Sequence, residues 1–132
     1  MEDNQKYIMT VVLQVHYDDE FLEDIIIAAL EGGSNYWIEC IKVRNFENDK
    51  PQGIPTSTWI FEKLKNGETI VLYLEDDGRA FLTLSKLKRG VKKYFSDSNN
   101  LVGGLTLDAA DYDADMADLV LQYSVFDEAV YG

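Results

Sequence analysis

The sequence predicts one α+β domain spanning residues 1–132: a mainly antiparallel sheet of roughly three to four strands with about four helices, in the order β-α-β-α-β-β-α-α. Three observations lead there. Apolar spacing switches between strand-like and helix-like periods along the chain. An Asp-Gly turn joins two apolar runs as a hairpin. No repeat, low-complexity tract or linker divides the 132 residues, a length that buries one core without disulfide or metal.

Tyr7 to Val15 (YIMTVVLQV) is rich in β-branched residues, lacks Gly and Pro, and reads as a first strand. In DDEFLEDIIIAALEGG, Phe21, Leu22, Ile25, Ile26, Ala29 and Leu30 share one helical face. Asp18 or Asp19 caps its start, and Gly32-Gly33 ends it through the left-handed conformation open to glycine. Tyr36 to Val43 reads as a second strand and Asn45 to Gly53 as a loop. Thr56 or Ser57 is positioned to cap a short helix through Leu64, stopped by Asn66-Gly67.

ETIVLYLE, DDG and RAFLTL form the hairpin. Ser85 is expected to cap SKLKRGVKKYF, whose Leu84, Leu87, Val91 and Phe95 line one face; Gly90 inside it costs about 1 kcal/mol relative to alanine. Ser96 to Gly104 is a loop. A last helix runs from about Tyr112 to Phe126 with Ala114, Ala117, Val120, Leu121 and Ser124 inward, and the AVYG tail adds an edge strand or docks on the core. An apolar patch around that tail would close a homo-oligomer.

The net charge is −12. Repulsion of that size argues against direct nucleic-acid binding and against an anionic membrane, while permitting a basic protein partner or mimicry of a nucleic-acid backbone. The longest apolar run, Ile25 to Leu30, is too short to cross a bilayer, and the acidic N-terminus is unlike a secretory signal, so a cytoplasmic location is expected. Cys40, the single cysteine, lies in an apolar strand and reads as a buried reduced thiol. The charges also segregate. The last 36 residues carry eight acids and no Lys or Arg, whereas Lys86, Lys88, Arg89, Lys92 and Lys93 crowd one helix.

The sequence carries no catalytic constellation, and no catalytic residue, metal ligand or cofactor is expected. Asp111, Asp113 and Asp115 copy the first positions of a calcium loop, but Met116 replaces its glycine and Gln122 its bidentate glutamate. His16 is the single histidine, and nothing in the sequence pairs it with Cys40. Gly32-Gly33 fits neither a dinucleotide fingerprint nor a P-loop. EGGSNYW, Glu31 to Trp37, reads either as a helix cap leading into core aromatics or as an exposed ring beside an amide, suited to a flat polar ligand.

ALEGGSNYW at 29–37, LTLSKLKRG at 82–90 and DADMADLVLQYSVFDEAVYG at 113–132 resemble three ordered blocks of a widespread family of small proteins from phages, prophages and integrative elements of Firmicutes and Actinobacteria. The family reads FGE where this chain has Phe126-Asp127-Glu128. The resemblance implies a mobile-element origin more than an activity. Asn35, Trp37, Asp118, Gln122 and Glu128 are poor core residues, which suggests a shared polar site or an oligomer contact.

The expectation is a non-enzymatic anti-defence binding protein. In one form an oligomer sequesters a small nucleotide immune signal: Tyr36 or Trp37 stacks on a base, Asn35 reads its edge, and Arg89 or Lys93 meets phosphates. In the alternative, an acidic face with Asp111, Asp115, Asp118, Gln122 and Glu128 fills the groove of a basic host nuclease such as a CRISPR effector. A regulatory or structural phage protein is the third reading.

Overall fold

The structure, a computed structural model, describes residues 4–10, 15–44, 50–96 and 114–132. It is a mixed α+β domain, with four α-helices and a three-stranded antiparallel sheet among the described residues. The elements are α1 (Asp19–Ala28), β1 (Ile38–Val43), α2 (Thr56–Lys65), β2 (Ile70–Leu74), β3 (Arg79–Leu82), α3 (Leu84–Ser96) and α4 (Ala114–Phe126).

The sheet order is β1-β2-β3. Ile70, Leu72 and Leu74 alternate toward the helices and join one core with Ile25, Ile26, Trp37, Leu64, Leu82, Leu87, Val91 and Leu121. This is the period-two pattern of a strand covered by helices on one side. No described helix is long and apolar enough to cross a membrane.

Local chemistry explains most boundaries. Asp18 caps α1 by accepting a hydrogen bond from the Phe21 amide at 2.9 Å. Gly67 (φ 85°) ends α2, with Gly67 N–H donating to Leu64 O and Glu68 N–H to Lys63 O, both at 3.0 Å. That pair of bonds is a Schellman motif. In the hairpin the positive φ falls on Asp77 (67°) while Asp76 accepts from the Gly78 amide at 3.1 Å.

Several expectations are corrected. Of the first predicted strand, Tyr7 to Thr10 and Val15 belong to no strand, with Tyr7, Ile8 and Met9 exposed; residues 11–14 lie outside the described set. Neither Gly32 nor Gly33 takes a positive φ. α1 instead leads into a π-type turn over Ala29–Gly33, closed by Ser34 N–H donating to Ala29 O at 2.8 Å. Gly33 is required by space, since a β-carbon there would strike Ala114 O at the start of α4. α2 begins after Pro55 without a side-chain cap: Thr56 and Ser57 already lie within its first turn, and the Ser57 hydroxyl donates to Glu31 at 3.0 Å. Thr83, not Ser85, caps α3, accepting from the Lys86 amide at 3.2 Å. Cys40 is exposed, because the register shift between Ile38 and Cys40 turns it to the sheet face away from the core, opposite Tyr73. The AVYG tail forms no strand and docks on the core through Tyr131.

The resemblance left open how a turn would form without the family glycine after Phe126. Asp127 supplies it, holding φ 62° and donating its amide to Tyr123 O at 3.1 Å. Asp is among the few non-glycine residues that adopt this conformation.

Candidate functional site

Two constellations stand out: a buried polar cluster behind EGGSNYW, and a cleft at the basic helix.

The cluster centres on Asp118, which α4 carries into the interior beside Ala117 and Leu121. Four donors converge on its carboxylate. Ser34 hydroxyl (2.8 Å) and Trp37 Nε1 (2.7 Å) donate to Oδ1; Tyr36 hydroxyl (2.6 Å) and Gln122 Nε2 (3.1 Å) donate to Oδ2. The turn after α1 thus delivers three consecutive-block side chains to one acid 80-odd residues away in sequence. A carboxylate accepts only, so two oxygens facing four donors is a satisfied arrangement with no cation required.

One turn later, Gln122 extends the network to the C-terminus. Its Oε1 accepts from Val130 N–H and Tyr131 N–H, both at 2.8 Å, and its Nε2 also reaches Tyr36 Oη (3.2 Å) and Tyr131 O (3.3 Å). The docked tail lays Tyr131 flat on Trp37, ring centres 5.3 Å apart and 6° from parallel, while Phe126 packs at 5.4 Å. Tyr131 hydroxyl then donates to Asp76 of the hairpin turn at 3.0 Å.

This geometry separates the expected site residues. Trp37 is 1% exposed, with its N–H committed and Tyr131 against it, so it is not free to stack on a ligand. Asp118 and Gln122 are buried and committed to the network, which corrects their assignment to an exposed partner-binding face. Asn35, Asp115 and Glu128 are exposed, and Tyr36 keeps half its surface in solvent. Asp111 lies outside the described residues. Trp37, Asp118 and Gln122, three of the five poor core residues singled out in the sequence, do meet. They share a polar cluster, whose effect is to tie the turn after α1, α4 and the tail together.

Tyr36 carries a testable signature. Burial of its hydroxyl, helped by the hydrogen bond and negative charge of Asp118, pushes its pKa up to about 12 from 10.0. A pKa raised by folding contributes stability that is complete below the unfolded value and lost as pH rises through the folded one. Unfolding free energy therefore declines between pH 10 and about 12, as Tyr36 ionises in the unfolded chain first. Denaturant titrations across that window are expected to show the decline, and Tyr36→Phe to flatten it. Tyr131, raised by burial and Asp76, contributes with the same sign.

The second constellation is a solvent-open cleft of about 550 Å³ lined by Val15, Tyr17, Lys88, Arg89, Lys92 and Ser96. α3 places its buried Leu87, Gly90 and Val91 against the core and turns its bases outward. Three of those bases face the segment preceding α1, where Tyr17 is 38% exposed. Arg89 also pairs with Asp127 at 3.1 Å; both side chains are half in solvent, so that pair is readily exchanged for another anion. Arg89 was expected beside Tyr36 or Trp37; the cleft places it with Tyr17 instead. Lys93 is exposed on α3 outside the cleft lining. Tyr17 was missed in the sequence because its neighbours Asp18 and Asp19 read only as helix caps. Its signal is an aromatic ring beside a cap, where side chains remain accessible.

Among the described residues no cluster of three His, Cys, Asp or Glu is arranged to hold a metal ion. Comparison of the chain with family models, curated proteins and solved structures gave no match.

Proposed function

We propose that this protein acts by binding, and that it holds a small phosphorylated ligand carrying a planar ring, of the class of nucleotide immune signals, in the cleft between Tyr17 and α3. The observation that carries this reading is the union of one exposed ring with Lys88, Arg89 and Lys92 around a single cavity in a chain of net charge −12. An anion approaching so acidic a molecule is favoured where bases cluster. Arg89 offers a planar fork for two phosphate oxygens, the lysines offer point charges, and Tyr17 offers a face for a base. The resemblance to mobile-element proteins supports placing such sequestration in anti-defence, in the cytoplasm of a host cell. The nuclease-mimic alternative draws less support, since Asp118 and Gln122 are occupied internally.

The test is a thermal-shift series with cyclic dinucleotides and cyclic ADP-ribose isomers. Ligand at a hundred times Kd stabilises by about 2.7 kcal/mol, a rise of several degrees in Tm. Tyr17→Ala and Lys92→Ala are expected to abolish the rise, with the ligand recovered chemically unchanged. No rise with any of these nucleotides refutes the reading, and conversion of the ligand refutes its non-catalytic part.

A further inference from the structure

The sheet has a second face. The register places Lys42, Val71 and Phe81 side by side, and Cys40, Tyr73 and Arg79 in the neighbouring row. None of these six joins the helix-covered apolar cluster, although Val71 is itself buried. Arg44, just past β1, reaches across to lie 5.7 Å over the Phe81 ring, while Lys42 and Arg79 lie 5.8 and 5.5 Å from the Tyr73 ring. Together these contacts confirm that three cations and two rings occupy one surface. None of the seven residues is an acid, although acids outnumber bases 24 to 12 in the chain.

We infer that this outer sheet face, Tyr73 and Phe81 framed by Lys42, Arg44 and Arg79, is a docking surface for single-stranded nucleic acid. The charge of −12 predicts no nucleic-acid contact for the chain as a whole. At physiological ionic strength, however, charges beyond about 8 Å are largely screened, so an approaching strand meets the local face. Tyr73 and Phe81 stand at diagonal positions on adjacent strands, with backbones about 7–8 Å apart. Successive bases of an extended strand can therefore stack one on each. Stacking on a ring is indifferent to base identity because every base has a π-face, and the cations over the rings shift to phosphates as bases arrive. An acidic peptide would satisfy the cations but leave both rings without a stacking partner, and a duplex hides its bases. This surface is distinct from the cleft at α3 and stands or falls separately.

The experiment is fluorescence anisotropy of labelled decathymidylate and decauridylate against the full chain, with the matching duplex and a polyglutamate peptide as rivals. Single strands are expected to bind at physiological ionic strength, where the net charge is screened, with duplex weaker. Phe81→Ala should weaken single-strand binding roughly five- to hundredfold. Phe81→Leu keeps apolar bulk for folding and is expected to weaken it in the same direction. Arg44→Gln should reduce the slope of log affinity against log salt by about 0.7. Absence of single-strand binding at physiological ionic strength, or affinity unchanged in both Phe81→Leu and Arg44→Gln, overturns the inference. Equal or tighter binding of polyglutamate also overturns it and assigns the face to acidic protein segments.

Discussion

Asp118→Ala is expected to lower unfolding free energy by about 3–5 kcal/mol, a large part of the 5–15 kcal/mol typical of a domain. The loss does not come from the acid's own packing, because alanine suits an interior helix face. It comes from the donors left behind. Ser34, Trp37 and Gln122 are fully buried or nearly so, and each loses an acceptor at 2.7–3.1 Å. A buried donor without a partner costs about 1–3 kcal/mol, more than the net worth of the bond it made. Asp118→Asn sharpens the point: nearly the same shape, but an amide NH2 now faces the hydroxyl or indole donors. It is expected to destabilise substantially too, which a packing role would not require. Removing the donors together with the acid, for example Trp37→Phe with Asp118→Leu, should cost less than the sum of the single changes, because a polar network is most damaging when half satisfied. Urea denaturation of Asp118→Ala, Asp118→Asn, the double variant and its two single changes measures this directly.

Gly90→Ala is the second large effect, and its sign opposes local propensity. In an isolated helix this change stabilises by about 1 kcal/mol. Here a β-carbon at Gly90 would overlap Ser124 Oγ and sit 2.6 Å from Val120 O and 2.9 Å from Ser124 N. Two of those three atoms are backbone of α4, so no rotamer change relieves the conflict. α3 and α4 would have to separate, and the expected loss is about 2–4 kcal/mol. Ser124→Ala should recover little of it. Ser124 is already folded back, its hydroxyl donating to Val120 O at 2.7 Å, as befits a small polar residue at a close helix crossing. Thermal melts of Gly90→Ala with and without Ser124→Ala test this, and a stabilised Gly90→Ala contradicts the packing described.

These two positions mark where sequence patterning stopped. Helix faces, the hairpin and the Asn66-Gly67 stop were legible because their causes are local: apolar spacing, a turn that accepts positive φ, a C-terminal motif closed within six residues. Gly90 looked like a propensity cost because its partner, the backbone of Val120 and Ser124, is 30 or more residues away. Asp118 reads two ways in the sequence, as one of a run of solvent-facing aspartates and as a poor core residue of a shared polar site. A helical wheel carries the missed signal: Asp118 and Gln122, four apart, fall in the stripe of Ala117, Leu121 and Val125, and so point where the core points. Cys40 was misplaced by a bulge that alternation cannot reveal. Tyr7 to Thr10 has strand composition, yet composition does not provide a neighbouring strand, and no described strand pairs with it.

The blocks of the sequence resemblance divide accordingly. EGGSNYW and the DADMADLVLQYSVFDEAVYG segment meet in the Asp118–Gln122 network and fasten the C-terminal tail, whereas LTLSKLKRG supplies Gly90 for packing and Lys88 and Arg89 for the cleft. Under the proposed function, the first group shapes the fold and the second meets the ligand.

Amide chemical-shift mapping during titration with a cyclic dinucleotide or cyclic ADP-ribose isomer tests that division most directly. The largest shifts are expected on Tyr17, Lys88, Arg89 and Lys92, with Asn35 to Trp37 nearly still. Shifts concentrated at Asn35 to Trp37 and Gln122, with α3 unmoved, would contradict it.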